Sequence, residues 1–201
     1  MEGPSLVILK EEIKSFKGKQ VVNAAGLAKI DMARLIGQKI KSIRTWGKHF
    51  LIEFKNVSLR IHFLMFGSYR INEVKDGRRP SLHFTFDDGS ELNFYTCSIK
   101  EIEGSLDQHY DWSADVMSDQ WDAAKARRRL KKLPRLNVGD ALLSQEIFAG
   151  IGNIIKNEVL FRIYVHPDSE IGNLPPRKLT ELVSEARTYS FDFYRWKKYF
   201  N

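Results

Sequence analysis

The sequence predicts an α+β protein, with a strand-rich first half followed by a wholly helical second half. Two observations carry this. Before about residue 115, short segments rich in β-branched and aromatic residues recur between turn signals. From Ser118 onward that pattern is gone, and apolar residues recur at helical spacing instead. The expected domains are therefore residues 1–115 and 116–201, in a chain of 201 residues that is long enough for both to bury cores.

The first element is a helix over Ser5 to Phe16. Pro4 suits a helix start, where its missing N–H costs nothing. Leu6, Leu9, Ile13 and Phe16 share one face, and Lys17-Gly18 supplies the stop. A short helical piece is expected over Leu27 to Ile36, closed by Gly37. Strands are expected in KIKSIRTW, HFLIEF, SLRIHF, SYRINE, SLHFTF and ELNFYT, with Asp87-Asp88-Gly89 turning the last two into a hairpin. Strands this short and this closely spaced suggest a sandwich or a barrel. Gly104 to Asp115, acidic and aromatic, is the expected linker. Helices follow at 119–132, 140–148, 152–163 and 176–188, with another from about Phe191; Pro134 breaks the first of them.

Composition narrows the function. No apolar run approaches the roughly 20 residues of a membrane span, and the N-terminus lacks the features of a secretory signal. Cys97 is the single cysteine, so neither an intramolecular disulfide nor a Cys-rich metal site can be assembled. The chain carries 32 Lys and Arg against 25 Asp and Glu, net +7. That balance favours polyanions, nucleic acid first and acidic membrane surfaces second. Its distribution is uneven: KARRRLKKLPR, from Lys125 to Arg135, holds seven basic residues and no acid. Lys125 and Arg128 are the candidate phosphate contacts in this run.

The stretch QEIFAGIGNIIKNEVLFRIYVHPD joins two apolar-periodic helices through Ala149-Gly150-Ile151-Gly152. Glycines there permit a tight turn and close approach of a ligand. The N–H groups that open the second helix are expected to face an anion, with the helix dipole adding to the attraction. Asn153 can cap that helix or donate its amide to a phosphate. Taken alone, the stretch is also a plain helical hairpin with a capping Asn. The basic helix just upstream favours a clamp on a DNA backbone.

AGIGNIIKNEVLFRIYVHP resembles the helix–two-turn–helix element of the formamidopyrimidine-DNA glycosylase and endonuclease VIII family. The opening EGP is similar to that family's N-terminal Pro-Glu-Gly-Pro. LIGQKIKSIRTWGKHFLIEF followed by LRIHFLMFGSYRI resembles its β-sandwich core. The likeness covers essentially the whole chain, in order. It implies an N-terminal β-sandwich with a leading helix, then an all-helical helix–two-turn–helix domain. It also implies base-excision repair by a bifunctional glycosylase and abasic-site lyase whose nucleophile is the N-terminal amine.

Residue by residue, the resemblance gives Met1 the nucleophilic amine, since methionine before a bulky acidic residue is normally retained. Glu2 matches the acid that manages protons at the sugar ring oxygen and the leaving base. Lys48, in Trp46-Gly47-Lys48, matches a lysine beside the reacting sugar and phosphate. His62 falls at a phosphate-contacting histidine, although a half-buried strand histidine is an equally ordinary reading. Met65 matches an apolar wedge that fills the gap left by a flipped nucleotide; as a plain strand residue it would be core. Gly152 and Asn153 belong to the DNA-binding turn.

The chain also departs from the pattern. A primary amine replaces the family's N-terminal proline, and Ser5 stands where a second glutamate is common. Leu92 to Gly104 lacks the Arg-Phe-Gly loop of formamidopyrimidine glycosylases, which places the chain nearer endonuclease VIII and oxidised pyrimidines. No C-terminal finger or equivalent hairpin is present, and the expected reading is a chain truncated before it. The expected partner is damaged or abasic DNA, bound by a monomer with no membrane association, no zinc and no other cofactor. The expected location is cytoplasmic, at a bacterial nucleoid, or otherwise intracellular with DNA. The alternative is a noncatalytic nucleic-acid-binding protein that keeps the fold.

Overall fold

The computed structural model describes residues 1–200. It contains two compact units. One comprises Met1, Leu9–Thr45 and His49–His109; the other comprises Glu2–Ile8, Trp46–Lys48 and the chain from Tyr110 onward.

The leading helix, α1 (Gly3–Glu12), starts two residues earlier than the sequence suggests and ends before Ile13, whose φ of −100° and ψ of 14° leave the α region. A 3₁₀ turn at Lys14–Phe16 continues the path, so Phe16 is still buried, at 3% exposure. Eight strands follow: β1 (Val21–Ala25), β2 (Ser42–Trp46), β3 (His49–Glu53), β4 (Ser58–His62), β5 (Ser68–Ile71), β6 (Leu82–Phe86), β7 (Glu91–Tyr95) and β8 (Ser98–Ile102). They form two four-stranded sheets, ordered β1-β6-β7-β5 and β2-β3-β4-β8. The choice between barrel and sandwich is thus settled for the sandwich. Alternate residues of facing strands fill its interior, with Phe50 against Phe94 and Phe54 against Phe84 at ring centroid distances of 6.3 and 6.1 Å.

Six of the strands were legible; β1 and β8 were not. In β8 the sequence SIKEI alternates charge with apolar residues, and its place is fixed by antiparallel pairing with β4, where His62 faces Ser98. In β1, VVNAA carries Asn and Ala, poor strand formers rescued by pairing with β6. The helix expected over Leu27 to Ile36 reduces to a 3₁₀ turn, Met32–Arg34, which Asp31 caps through the Ala33 N–H.

The helical unit holds α3 (Ala123–Lys131), α4 (Val138–Leu143), α5 (Asn153–Arg162) and α6 (Pro176–Tyr199); α2 (Leu106–His109) is a short piece of the preceding unit. Its core gathers Leu130, Leu142, Phe148, Ile155, Val159 and Leu182, each fully buried. Asp122 sets the start of α3 by accepting from the Lys125 N–H at 2.8 Å. The expected break between two last helices is absent. Residues 189–190 stay helical in α6, and the buried Ser190 hydroxyl donates back to the Ala186 carbonyl at 2.7 Å. No helix among the described residues is long and apolar enough to cross a membrane.

Candidate active site

Three glycines allow three chain segments to meet. The Gly3 N–H donates to the Gly150 carbonyl at 2.9 Å. A Cβ on Gly3 would stand 2.9 Å from the Gly150 Cα, and one on Gly47 would stand 3.0 Å from the Gly150 N. Gly47 also lies at φ +54°, and Gly150 at φ +104°. Backbones approach this closely only without side chains.

Asp115 holds the arrangement from beneath. It is 2% exposed, and its carboxylate accepts from the Gly47 N–H at 3.0 Å and the Met117 N–H at 2.8 Å. Ala149 pairs its backbone with the same segment, its N–H donating to Ala114 and its carbonyl accepting from Val116. Gln145 staples the turn from inside: its side-chain amide donates to the carbonyls of Leu143 and Ile151, while its oxygen accepts from the Gly150 N–H at 3.0 Å. This explains why α4 stops at Leu143 rather than running to Phe148. Asp115→Ala leaves the Gly47 and Met117 N–H groups unsatisfied and is expected to cost about 2–4 kcal/mol, read as a lower urea midpoint. Asp115→Asn, which keeps one acceptor oxygen, should recover part of that loss.

On this frame Glu2 reaches the first turn of α5. Its two carboxylate oxygens accept from the Ile154 N–H at 2.9 Å and the Ile155 N–H at 3.3 Å. The helix start does attract an anion, but that anion belongs to the chain itself, which corrects the expectation that these N–H groups face an external phosphate. Gly152 is the N-cap, and a Cβ there would overlap the Glu2 carboxylate. Asn153 does not cap; it is the first residue of α5, exposed, and its side-chain oxygen accepts from the Lys156 ammonium at 3.2 Å. Lys48 lies close enough to Glu2 for the two charges to interact. Burial lowers the Lys48 pKa from its ordinary value, while the Glu2 carboxylate pulls in the opposite direction.

The other predicted residues fall into two groups. Met1, His62 and Met65 meet at the turn between β4 and β5. The Met1 amine donates to the Leu64 carbonyl at 3.4 Å, and the His62 Nδ1 accepts from the Leu64 N–H at 3.1 Å. Met65 is no core residue: it lies outside both strands and is 83% exposed. The basic helix forms the second group. Lys125, expected at a phosphate, bonds Asp111 and Ser113 instead, and Arg129 pairs with the same Asp111. Burial pushes the Asp111 carboxyl up, but hydrogen bonds from Ser113, Lys125 and Arg129 outweigh it and hold it well below the usual carboxylate range. Arg128 stays largely exposed, 3.6 Å from Asp122. Asp115 and Gln145 were missed in the sequence, because a buried carboxylate or amide that serves backbone N–H groups leaves no local pattern. Among the described residues, no group of three or more His, Cys, Asp or Glu is placed to hold a metal ion.

Comparisons with known proteins bear on the fold and the family. The family model described as Formamidopyrimidine-DNA glycosylase N-terminal domain matches residues 6–97, and the Formamidopyrimidine-DNA glycosylase H2TH domain matches residues 113–189. Endonuclease 8-like 3 of Xenopus laevis is 31% identical over 191 residues, covering 89% of this chain and 30% of the relative. Formamidopyrimidine-DNA glycosylase of Acinetobacter baylyi is 28% identical over 165 residues, covering 78% of this chain and 60% of the relative. This chain therefore spans under a third of the first relative's length and about three fifths of the second's. Among solved structures, a viral DNA glycosylase superposes with a TM-score of 0.86 at 19% identity, over 99% of this chain and 84% of that one. The Lactococcus lactis glycosylase in complex with DNA containing an abasic site gives 0.84 at 20% identity, over 97% and 79%. At these identities the superpositions establish the fold. With both of its sequence models matched in order along one chain, and with the sandwich and the helix–two-turn–helix turn in place, the protein belongs to the formamidopyrimidine-DNA glycosylase and endonuclease VIII family.

Proposed function

We propose that the protein removes oxidised bases from DNA, pyrimidines foremost, and then cuts the strand at the resulting abasic site. The Met1 amine attacks the sugar C1′, and the bond from C1′ to the base breaks as the base takes up, through Glu2, the first proton that the attacking nitrogen gives up. Glu2 delivers a proton to the ring oxygen as the sugar opens, and the amine nitrogen becomes an imine. The imine acidifies the C2′ hydrogen; its loss expels the 3′ phosphate by β-elimination. Lys48 stands at the sugar and its phosphate, and the exposed Met65 fills the space left by the extruded nucleotide. Arg128, Asn153 and His62 hold the backbone of a DNA bound by a single copy of the chain.

The observation that supports this reading most is the seat of Glu2. A carboxylate held by two helix N–H groups, beside a lysine whose charge burial disfavours, is an ordered pair of titratable groups. The residue that carries the amine directly precedes it in the chain. A plain nucleic-acid clamp needs none of these features. The test is borohydride trapping on a duplex that carries an abasic site. The expected product is a covalent complex with the mass of one chain plus the cut strand. No adduct from a protein whose Met1 is intact by mass spectrometry would favour the noncatalytic binder.

A further inference from the structure

Strands β4 and β8 pair with Arg60 directly opposite Lys100. Residues so placed share one face of a sheet, their Cβ atoms about 4.5–5.5 Å apart, and like charges there destabilise the pair. An acid between them would cancel that cost. Among the described residues neither cation has an ion-pair partner. Glu53, on the same face of β3, is taken by Lys41 and Ser42, and Asp107 is taken by Arg44. On its other side Arg60 faces the buried Leu51, so that flank offers no acid either.

Lys100 has an ordinary reason to be where it is. Strand β8 is an edge strand, where an exposed lysine discourages pairing with another chain. Arg60 has none, because β4 lies inside the sheet, between β3 and β8. An inner-strand arginine that faces a lysine without an acid points to a negative charge from outside the protein. The same face carries the expected phosphate contact: His62 stands two residues on from Arg60, about 6.6 Å along the strand. His49 adds no charge here. Burial first, then the Arg60 and His62 charges, push its imidazole down to about 4, so it is neutral at neutral pH.

We propose that Arg60 and Lys100 together hold one phosphate of the DNA backbone, next along the strand from the phosphate at His62. This rests on the repair reading only for naming DNA as the polyanion. The guanidinium fork matches two phosphate oxygens, and the ammonium adds a point charge from the opposite strand. The cost of the like-charge pair is then offset when DNA is bound.

The test measures duplex affinity against salt for wild type, Arg60→Lys and the double variant Arg60→Gln/Lys100→Gln. One shared phosphate predicts that the double variant's log–log slope becomes shallower by about 0.9, where two separate contacts would give about 1.8. Affinity at about 50 mM salt should fall roughly tenfold, and the loss should shrink as salt rises. Arg60→Lys keeps the charge and should keep the slope. The urea midpoint of the double variant should hold or rise, since a like-charge pair has been removed. Uncharged methylphosphonate linkages, placed one at a time, should reveal a single position that weakens wild type and leaves the double variant unchanged. An unchanged slope in a double variant, with wild type still trapped on abasic-site DNA, overturns the phosphate site and leaves the repair reading standing. A fallen midpoint with an unchanged slope also overturns it, showing a role in the sheet alone. If wild type is not trapped but the slope changes as expected, the repair reading falls and the phosphate site stands.

Discussion

One extra residue ahead of Met1 is expected to abolish borohydride trapping on abasic-site DNA, while affinity for the same DNA should change less than about threefold. The extension converts the α-amine into a peptide nitrogen, whose lone pair is delocalised into the amide and cannot attack a sugar carbon. What is lost is the reagent, and binding energy drawn from phosphates is untouched. The amine is suited to the task because α-amines have a reference pKa of about 7.7–8 against about 10.4 for lysine. The nitrogen lies 3.4 Å from the Leu64 carbonyl, to which it donates. One side chain competes for the role. Lys48 has its pKa lowered by burial, which is how a lysine becomes a nucleophile. Gel trapping of the extended chain with and without Lys48→Ala separates the two. Trapping that persists in the extended chain and vanishes when Lys48 is also replaced would move the chemistry from the terminus to the lysine.

Much of this arrangement was legible because it is written in local chemistry. Pro4 marks a helix start, Gly150 and Gly152 mark a turn, and alternating aromatics mark a sheet with one buried face. Resemblance then placed Glu2 and Lys48 in one site, and the structure brings their charges within interaction range. What stayed hidden was tertiary pairing. KARRRLKKLPR reads as a uniform cationic strip, yet Asp111, outside the run, pairs with both Lys125 and Arg129 and ties the helix down. The start of α5 reads as an open anion site because nothing near Asn153 in sequence supplies an acid. The acid comes from 152 residues away. A tertiary contact likewise decides that β8 is a strand at all, since β4 supplies its hydrogen bonds.

The seat of Glu2 gives the second large effect, through Gly152→Ala. Gly152 has φ −118° and ψ −166°, extended backbone that alanine adopts without strain. A Cβ there would lie 2.4, 2.5 and 2.6 Å from Glu2 Oε1, Cδ and Cγ, its three nearest atoms. The Glu2 side chain can swing away more cheaply than α5 can move, so the substitution evicts the carboxylate and leaves the helix in place. Losing that cap costs about 0.5–2 kcal/mol of stability, too little to unfold the chain. Release of an oxidised base from a duplex should fall about 10²–10⁴-fold, the scale for a general acid removed from its station. Trapping on an abasic site made beforehand, where the base has already left, should fall less than about tenfold by the same reasoning. Glu2→Gln should separate charge from position, since it keeps an acceptor for one N–H and gives up the acid. If Gly152→Ala excises bases as fast as wild type while Glu2→Gln does not, the carboxylate acts from somewhere other than the α5 terminus, and the helix contact is only a resting place.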